Sequence, residues 1–250
     1  GLGLNTGVQD VQNLVWKIAA VEAGWAPAAL LDADERERRP VAQRNADVSL
    51  QNAMRLMEVY QALATVDPAA RMAGTVPPSA ELATAIANQA EHFDQLGLQL
   101  GFTYESGALV AGDGPADEPS SVREYRPSAR PGARLPHAWV TRHGGRVSSL
   151  DLVAAEAFTL IVGRDGTRWI DAATAADSPP LRTVRIGHDV LDPDDTWTKL
   201  LALAPDGAIL VRPDQHVAWR SATAGANPSA ALAEAFATLL DRPALAPRAA

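Results

Sequence analysis

The chain is 250 residues long and 47% apolar, with 22 Lys and Arg against 30 Asp and Glu for a net charge of −8, which allows a buried core in one or two domains and argues against a nucleic-acid surface. It contains no cysteine, so disulfides, thiolate catalysis and zinc–thiolate sites are excluded. A reducing cytoplasm, compatible with that absence, is the expected compartment, and because no run approaches the roughly 18 consecutive apolar residues of a membrane span, a membrane is not an expected partner.

The opening Gly1-Leu-Gly-Leu-Asn-Thr-Gly7 reads as a glycine-rich turn feeding a helix over 10–22, in which Val11, Leu14, Val15, Ile18 and Ala19 share a face. A second helix is expected after Pro27. A third runs from about Pro40, a favoured first-turn residue, to about Ala64, and its stripe of Ala46, Leu50, Ala53, Met57, Tyr60 and Ala64 reads as packing against a neighbouring domain. Ser79 is the expected N-cap of a fourth helix reaching about Leu96, and 98–105 alternates like a strand. Residues 112–121 are polar and rich in Gly and Pro, so the domain boundary is placed at a linker over 112–130.

From Pro131 onward, strands are expected at 138–141, 158–162, 183–186, 208–211 and 217–220, interleaved with helices at about 167–176, 195–203 and 228–241. Such interleaving implies a small layered α/β domain. Pro213-Asp214 separates the last two strands as a hairpin turn.

Three glycines at a helix start leave backbone N–H groups free beside the positive end of the helix dipole, which suits an anion or an electron-rich ring edge. The spacing is not a dinucleotide fingerprint: the third glycine comes one place late, and neither a preceding strand nor a βαβ unit accompanies it. From the residues alone, an ordinary glycine-rich helix entry remains the alternative. His188 with Asp189, Asp192, Asp194 and Asp195 has metal-ligand residue types, but helix capping by Asp194 or Asp195 explains the cluster better, and no metal is expected.

The segment Gly1 to Asp10, with Asn13-Leu-Val-Trp-Lys17, Ala29-Leu-Leu-Asp32 and Glu37-Arg-Arg-Pro-Val-Ala42, resembles the third flavin-binding segment of the single-component FAD-dependent aromatic hydroxylases, the group of phenol, chlorophenol and aromatic-polyketide monooxygenases. His92 to Ser106 and Arg130 to Trp139 are similar to its polyketide and dichlorophenol branch. The resemblance implies that Gly1, Gly3, Leu4 and Asn5 present backbone amides to the pyrimidine edge of the FAD isoalloxazine. It implies reduction of FAD by NAD(P)H, capture of O2 as a flavin hydroperoxide, and oxygen transfer to a small aromatic substrate.

The implied architecture is α/β: residues 1–111 are a helical segment left over from an FAD-binding domain, 112–130 a linker, and 131–250 a thioredoxin-like domain that lacks the cysteines for dithiol chemistry. Arg134, Pro136 and His137 resemble a recurrent segment at that domain's entry, with a structural role. The resemblance also implies that the nucleotide-binding βαβ and most of the substrate sheet lie upstream of Gly1, so that the chain by itself is inactive. A non-catalytic thioredoxin-like interaction or dimerisation module is the alternative, and a homodimer is the candidate assembly.

Overall fold

The computed structural model describes residues 2–77, 79–112, 120–175 and 179–241. Its amino-terminal part is helical: α1 (Gly3–Glu22), a 3-10 turn (Ala28–Leu31), the long α2 (Asp32–Ala64), then the short α3 (Pro68–Met72), α4 (Ala80–Ala87), α5 (Ala90–Phe93) and α6 (Leu96–Leu100). Next come the hairpin β1 (Trp139–Arg142) and β2 (Gly145–Ser148), followed by β3 (Phe158–Val162), α7 (Thr167–Ala175), β4 (Leu181–Arg185), α8 (Thr196–Leu201), β5 (Ala208–Val211), β6 (Val217–Ser221) and α9 (Pro228–Leu239).

The last four strands form one sheet in the order β4-β3-β5-β6. β4 runs parallel to β3, whereas β5 and β6 are antiparallel to their neighbours. This βαβαββα order makes a layered α/β domain, with one parallel pair of strands followed by an antiparallel pair. Strands β3 and β5 are buried along their whole length, apolar but for Thr159, because both faces of the sheet are covered. Phe158, Leu160, Val162, Ala208 and Leu210 face Trp169 of α7, Phe236 of α9, and Trp16 and Ala20 of α1. Ile161, Ile209 and Val211 face Trp197 and Leu201 of α8, with Leu135 and Val140. The first of these cores therefore draws on residues from both sides of 112–130, and Trp16 and Trp25 both meet Phe158 edge-on, at 6.0 and 5.9 Å.

Several expectations are corrected. Helix α1 begins at Gly3, not at residue 10, so the glycine-rich segment is the helix's own first turn and Gly7 lies inside it. Its apolar stripe faces outward: Leu4 is 82% exposed and Ile18 44%, with Val8, Val11 and Val15 between them, while Asn13, Trp16, Lys17 and Ala20 are buried. Pro40 does not start a helix but lies within α2. Proline removes one helical donor there, and because Arg36 and Pro40 are exposed, water can take up the carbonyl left free. The stripe from Ala46 to Ala64 is likewise exposed, and the buried residues of that half of α2 are Val48 and Asn52.

The single helix expected over 79–96 is broken into α4 and α5, with α6 following, although Ser79 caps as expected by accepting from Leu82 N at 3.1 Å. The strand expected over 98–105 is helical to Leu100 and then contributes only a bridge between Thr103 and Ala133. Much of the connection at 112–121 lies outside the described residues. Among the described residues, no helix is long and apolar enough to cross a membrane.

Candidate functional site

Helices α1 and α2 meet through polar groups. Asn45 donates to the Thr6 hydroxyl at 2.9 Å, Arg38 donates to Gln9 Oε1 at 3.2 Å and to Asp10 at 2.8 Å, and Glu37 accepts from Asn13 at 2.7 Å and from Lys17 at 2.9 Å. These partners recur along α1 at steps of three or four residues, the spacing of one helical face. That ladder turns the polar face of α1 inward and leaves its apolar stripe outside.

The inner end of the ladder is closed by the carboxyl-terminal domain. Arg212, at the end of β5, donates to Glu37 through both terminal nitrogens, at 2.7 and 2.9 Å. Its Nε donates to Asp214 at 3.0 Å, and its Nη1 donates to the Ala108 carbonyl at 3.1 Å. Asn13 reaches Asp214 at 3.4 Å, and the Ala108 amide donates to Glu37 at 2.7 Å. Gly107 permits that approach: it has φ +115, and a Cβ there would come within 2.4 Å of the Glu37 side chain. The four charged side chains Lys17, Glu37, Arg212 and Asp214 are essentially sealed from solvent.

Two cations and two anions in one dry cluster balance each other, and the charge states follow. Burial would raise the Glu37 carboxyl, but Arg212 and Lys17 outweigh it and hold the group at about 2. Burial also opposes the charge of Asp214, and Arg212 again prevails, keeping it well below the ordinary carboxylate range. Lys17 shifts down because burial is only partly offset by Glu37, and Arg212 adds to the downward push. The Tyr104 phenol is pushed up to about 12, by burial first and by Asp214 second.

At the other end of α1, Gly1 lies outside the described residues, while Gly3, Leu4 and Asn5 occupy the first helical turn. The first intrahelical amide is that of Thr6, donating to the Leu2 carbonyl at 3.0 Å, so the N–H groups of Gly3, Leu4 and Asn5 have no intrahelical acceptor. Leu2 offers no side-chain cap, no acidic residue sits in the first turn, and nothing lies within 4 Å of where a Cβ on Gly3 or Gly7 would be. An uncapped, uncrowded helix start fits the electron-rich edge of a flavin ring, because its donors and the dipole's positive end both point outward.

The other sequence candidates fall into structural roles. The Pro136 carbonyl accepts from Trp197 Nε1 at 3.1 Å and from Ser149 at 3.2 Å, which ties the domain entry to α8. Arg134 forms an isolated antiparallel β-bridge with His216, just ahead of β6, and His137 packs edge-on against Trp139. The cap of α8 is neither Asp194 nor Asp195 but Asp192, whose carboxylate accepts from the amides of Trp197 and Thr198 at 3.2 and 2.8 Å. Asp195 occupies the N-cap position in the left-handed region, with φ +52, and makes no capping bond. Among the described residues no group of three His, Cys, Asp or Glu is placed to hold a metal. A cavity of about 360 Å³ opens where β3 ends, lined by Gly163, Arg164, Gly187 and Asp192.

Sequence reasoning passed over Lys17, Arg212 and Asp214 as a set. Arg212-Pro213-Asp214 was readable as a hairpin turn, but nothing local signals that its charges point into a core.

Comparison with known proteins gives these features a family. Residues 1–49 match the FAD binding domain family, and residues 128–243 match the family described as aromatic-ring hydroxylase, C-terminal. Aklavinone 12-hydroxylase RdmE of Streptomyces purpurascens is 37% identical over 97% of this chain and 41% of its own length. The 2,4-dichlorophenol 6-monooxygenase of Cupriavidus pinatubonensis is 35% identical over 97% of this chain and 44% of its own. The crystal structure of the flavin-dependent monooxygenase PieE in complex with FAD and substrate superposes with a TM-score of 0.87 at 36% identity, covering 97% of this chain and 45% of that one. The chain thus spans less than half the length of these relatives. Matched to the FAD binding domain family at its helical start and to the aromatic-ring hydroxylase C-terminal family over 128–243, the chain resembles the FAD-dependent aromatic-ring hydroxylases along nearly its whole length.

Proposed function

We propose that this chain is the carboxyl-terminal part of a flavin-dependent monooxygenase that hydroxylates a small aromatic substrate, phenolic or polyketide, with NAD(P)H and O2. Residues 1–111 belong in this reading to the FAD- and substrate-binding part, 112–130 link the two, and 131–250 form a thioredoxin-like domain. The observation that carries it is α1, which combines an uncapped first turn with an apolar stripe turned to solvent. A helix shaped in this way is complete only when more protein covers the stripe and an electron-rich group meets the free amides.

When bound, FAD supplies the redox chemistry and O2 activation. The chain's own contribution is positional: the amides of Gly3, Leu4 and Asn5 would hold the pyrimidine edge, and the α1 dipole would stabilise negative charge there. The ladder of Thr6, Gln9, Asp10, Asn13 and Lys17 fixes α1 against α2, and Arg212 fixes both against the sheet. With no cysteine, the carboxyl-terminal domain acts as a brace and not as a dithiol centre. A homodimer in the cytoplasm completes the proposal.

The test is to purify the longer protein containing this chain and to follow NAD(P)H oxidation with simple phenols and with polyketide aromatics under 18O2. Substrate-dependent oxidation with one labelled oxygen in the product is expected. A protein that incorporates no label from O2 into any of them contradicts the proposal.

A further inference from the structure

The exposed face of α2 has a regular step. Ala46, Leu50, Ala53, Met57, Tyr60 and Ala64 follow one another by four, three, four, three and four residues, the a and d seam of a coiled coil sustained over nearly three heptads. Met54 flanks the seam on the same side. The buried contacts of this half of α2 are made from the opposite side, by Val48 and Asn52, and Arg55 pairs with Glu91 of α5. Leu50, Met54, Met57 and Tyr60 are 63, 65, 54 and 58% exposed, and the three alanines are exposed with them.

The order of the steps reads the same in both directions, and that decides which partner fits. A second α2 laid antiparallel, with a two-fold axis level with residue 55, sets Ala53 against Met57 of the second copy, Leu50 against its Tyr60, and Ala46 against its Ala64. Each large side chain of the central pair then lies over a small one, and Met54 meets its own copy beside the axis. A parallel pair would instead crowd Met57 on Met57 and Tyr60 on Tyr60, with gaps at the alanines between them. Charge selects the same direction. Asp47 borders the seam, and antiparallel pairing brings its carboxylate beside the Gln61 amide of the second copy, whereas a parallel pair would place two Asp47 carboxylates side by side. At roughly 200 Å² of surface per large side chain, each copy offers about 600 Å² of face, so that pairing removes roughly 1,200 Å² from water, the size at which stable specific interfaces begin.

We infer that this seam is the homodimer interface of the protein, closed by α2 of a second copy running antiparallel. The inference rests on the proposed function only for the existence of a homodimer, to which it gives a surface and a register, and it does not depend on the flavin.

Two measurements test it. Because the 250-residue chain has no cysteine, introduced cysteines report only their own neighbours. Oxidised glutathione acting on an equal mixture of the Ala53→Cys and Met57→Cys chains should cross-link them at least about tenfold faster than either variant alone. The antiparallel register brings those two positions within disulfide reach and offsets each from its own copy by about 6 Å along the axis. In the longer protein that contains this chain, sedimentation should show a dimer whose dissociation constant rises at least about 100-fold when Leu50→Glu and Met57→Glu are combined. Circular dichroism should stay unchanged, because both sites are exposed in the single chain. A monomeric longer protein, a dimer indifferent to the two glutamates, or mixed cysteines that cross-link no faster than the single variants overturns the inference and assigns the face to another part of the longer protein. The 18O2 assay reads the hydroxylase proposal separately: a monomer that incorporates label ends the dimer alone, and a dimer that incorporates none ends the hydroxylase alone.

Discussion

Arg212 and Glu37, 175 positions apart in the sequence, form a two-pronged ion pair with both side chains fully buried. The contact joins the end of β5 to the first turns of α2, and through Lys17 and Asn13 it reaches the middle of α1. The carboxyl-terminal sheet thereby holds the middle of α1 against α2. Buried ion clusters of this kind contribute little net stability relative to apolar packing, but removing one member leaves the others uncompensated.

Arg212→Met is therefore expected to destabilise the chain by about 3–5 kcal/mol, because Glu37 and Asp214 remain buried without their main counter-charge. Urea unfolding followed by circular dichroism measures it. Glu37→Gln combined with Arg212→Met should cost clearly less than the sum of the two single changes.

Acid stability follows from Glu37. Its folded value of about 2 lies below the ordinary 4.5, so its stabilisation is fully present above about pH 4.5 and is lost as pH falls toward 2, a change of about 3 kcal/mol. Asp214, also depressed, adds to the loss at low pH. Lys17, a base shifted downward, acts in the alkaline range, where stability rises as pH approaches 10.5. Urea midpoints at pH 6, 4 and 2.5 should fall steeply for the native chain and less steeply for Glu37→Gln.

The outward stripe of α1 gives a contrast between contexts. Val11→Gln with Val15→Gln should change the stability of this chain by no more than about 0.5 kcal/mol per site and reduce its self-association in light scattering. In the longer protein the same pair should destabilise by about 2 kcal/mol or more, since the stripe is then covered.

These residues also mark where the sequence was legible. Strands β3 and β5 read correctly because a short, almost wholly apolar run rich in β-branched residues has few alternatives, and the β5–β6 hairpin followed from Pro213-Asp214. Helix α1 was recognised as a helix, but its orientation was not legible, since periodicity locates an apolar face and assumes that face is inward. Here the polar ladder to α2 reverses it. Pro40 read as a helix start because a proline's lost donor is cheapest there, whereas solvent on that side of α2 makes the interior position tolerable. The resemblance placed Glu37 and Arg38 in a motif but could not say that Glu37 meets Arg212 across the fold. The β2 strand carries only Val147 as a strong apolar residue, too little for a periodic signal.

The cap of α8 separates two neighbouring aspartates. Asp192→Ala should cost about 1 kcal/mol, the usual loss for a helix cap. Asp195→Gly should be neutral or stabilising, because Asp195 sits at φ +52 without a capping bond. Thermal melting of both variants decides between them.

Contact between the first turn of α1 and the flavin is read most directly from the backbone amide spectrum of the longer protein, prepared free of FAD and then titrated with it. The amides of Gly3, Leu4 and Asn5 should shift on binding and shift again on reduction, when negative charge develops at the edge they face, while those near Gly163 stay unchanged. A protein that takes up FAD with the Gly3–Asn5 amides unmoved, or that takes up none, contradicts it.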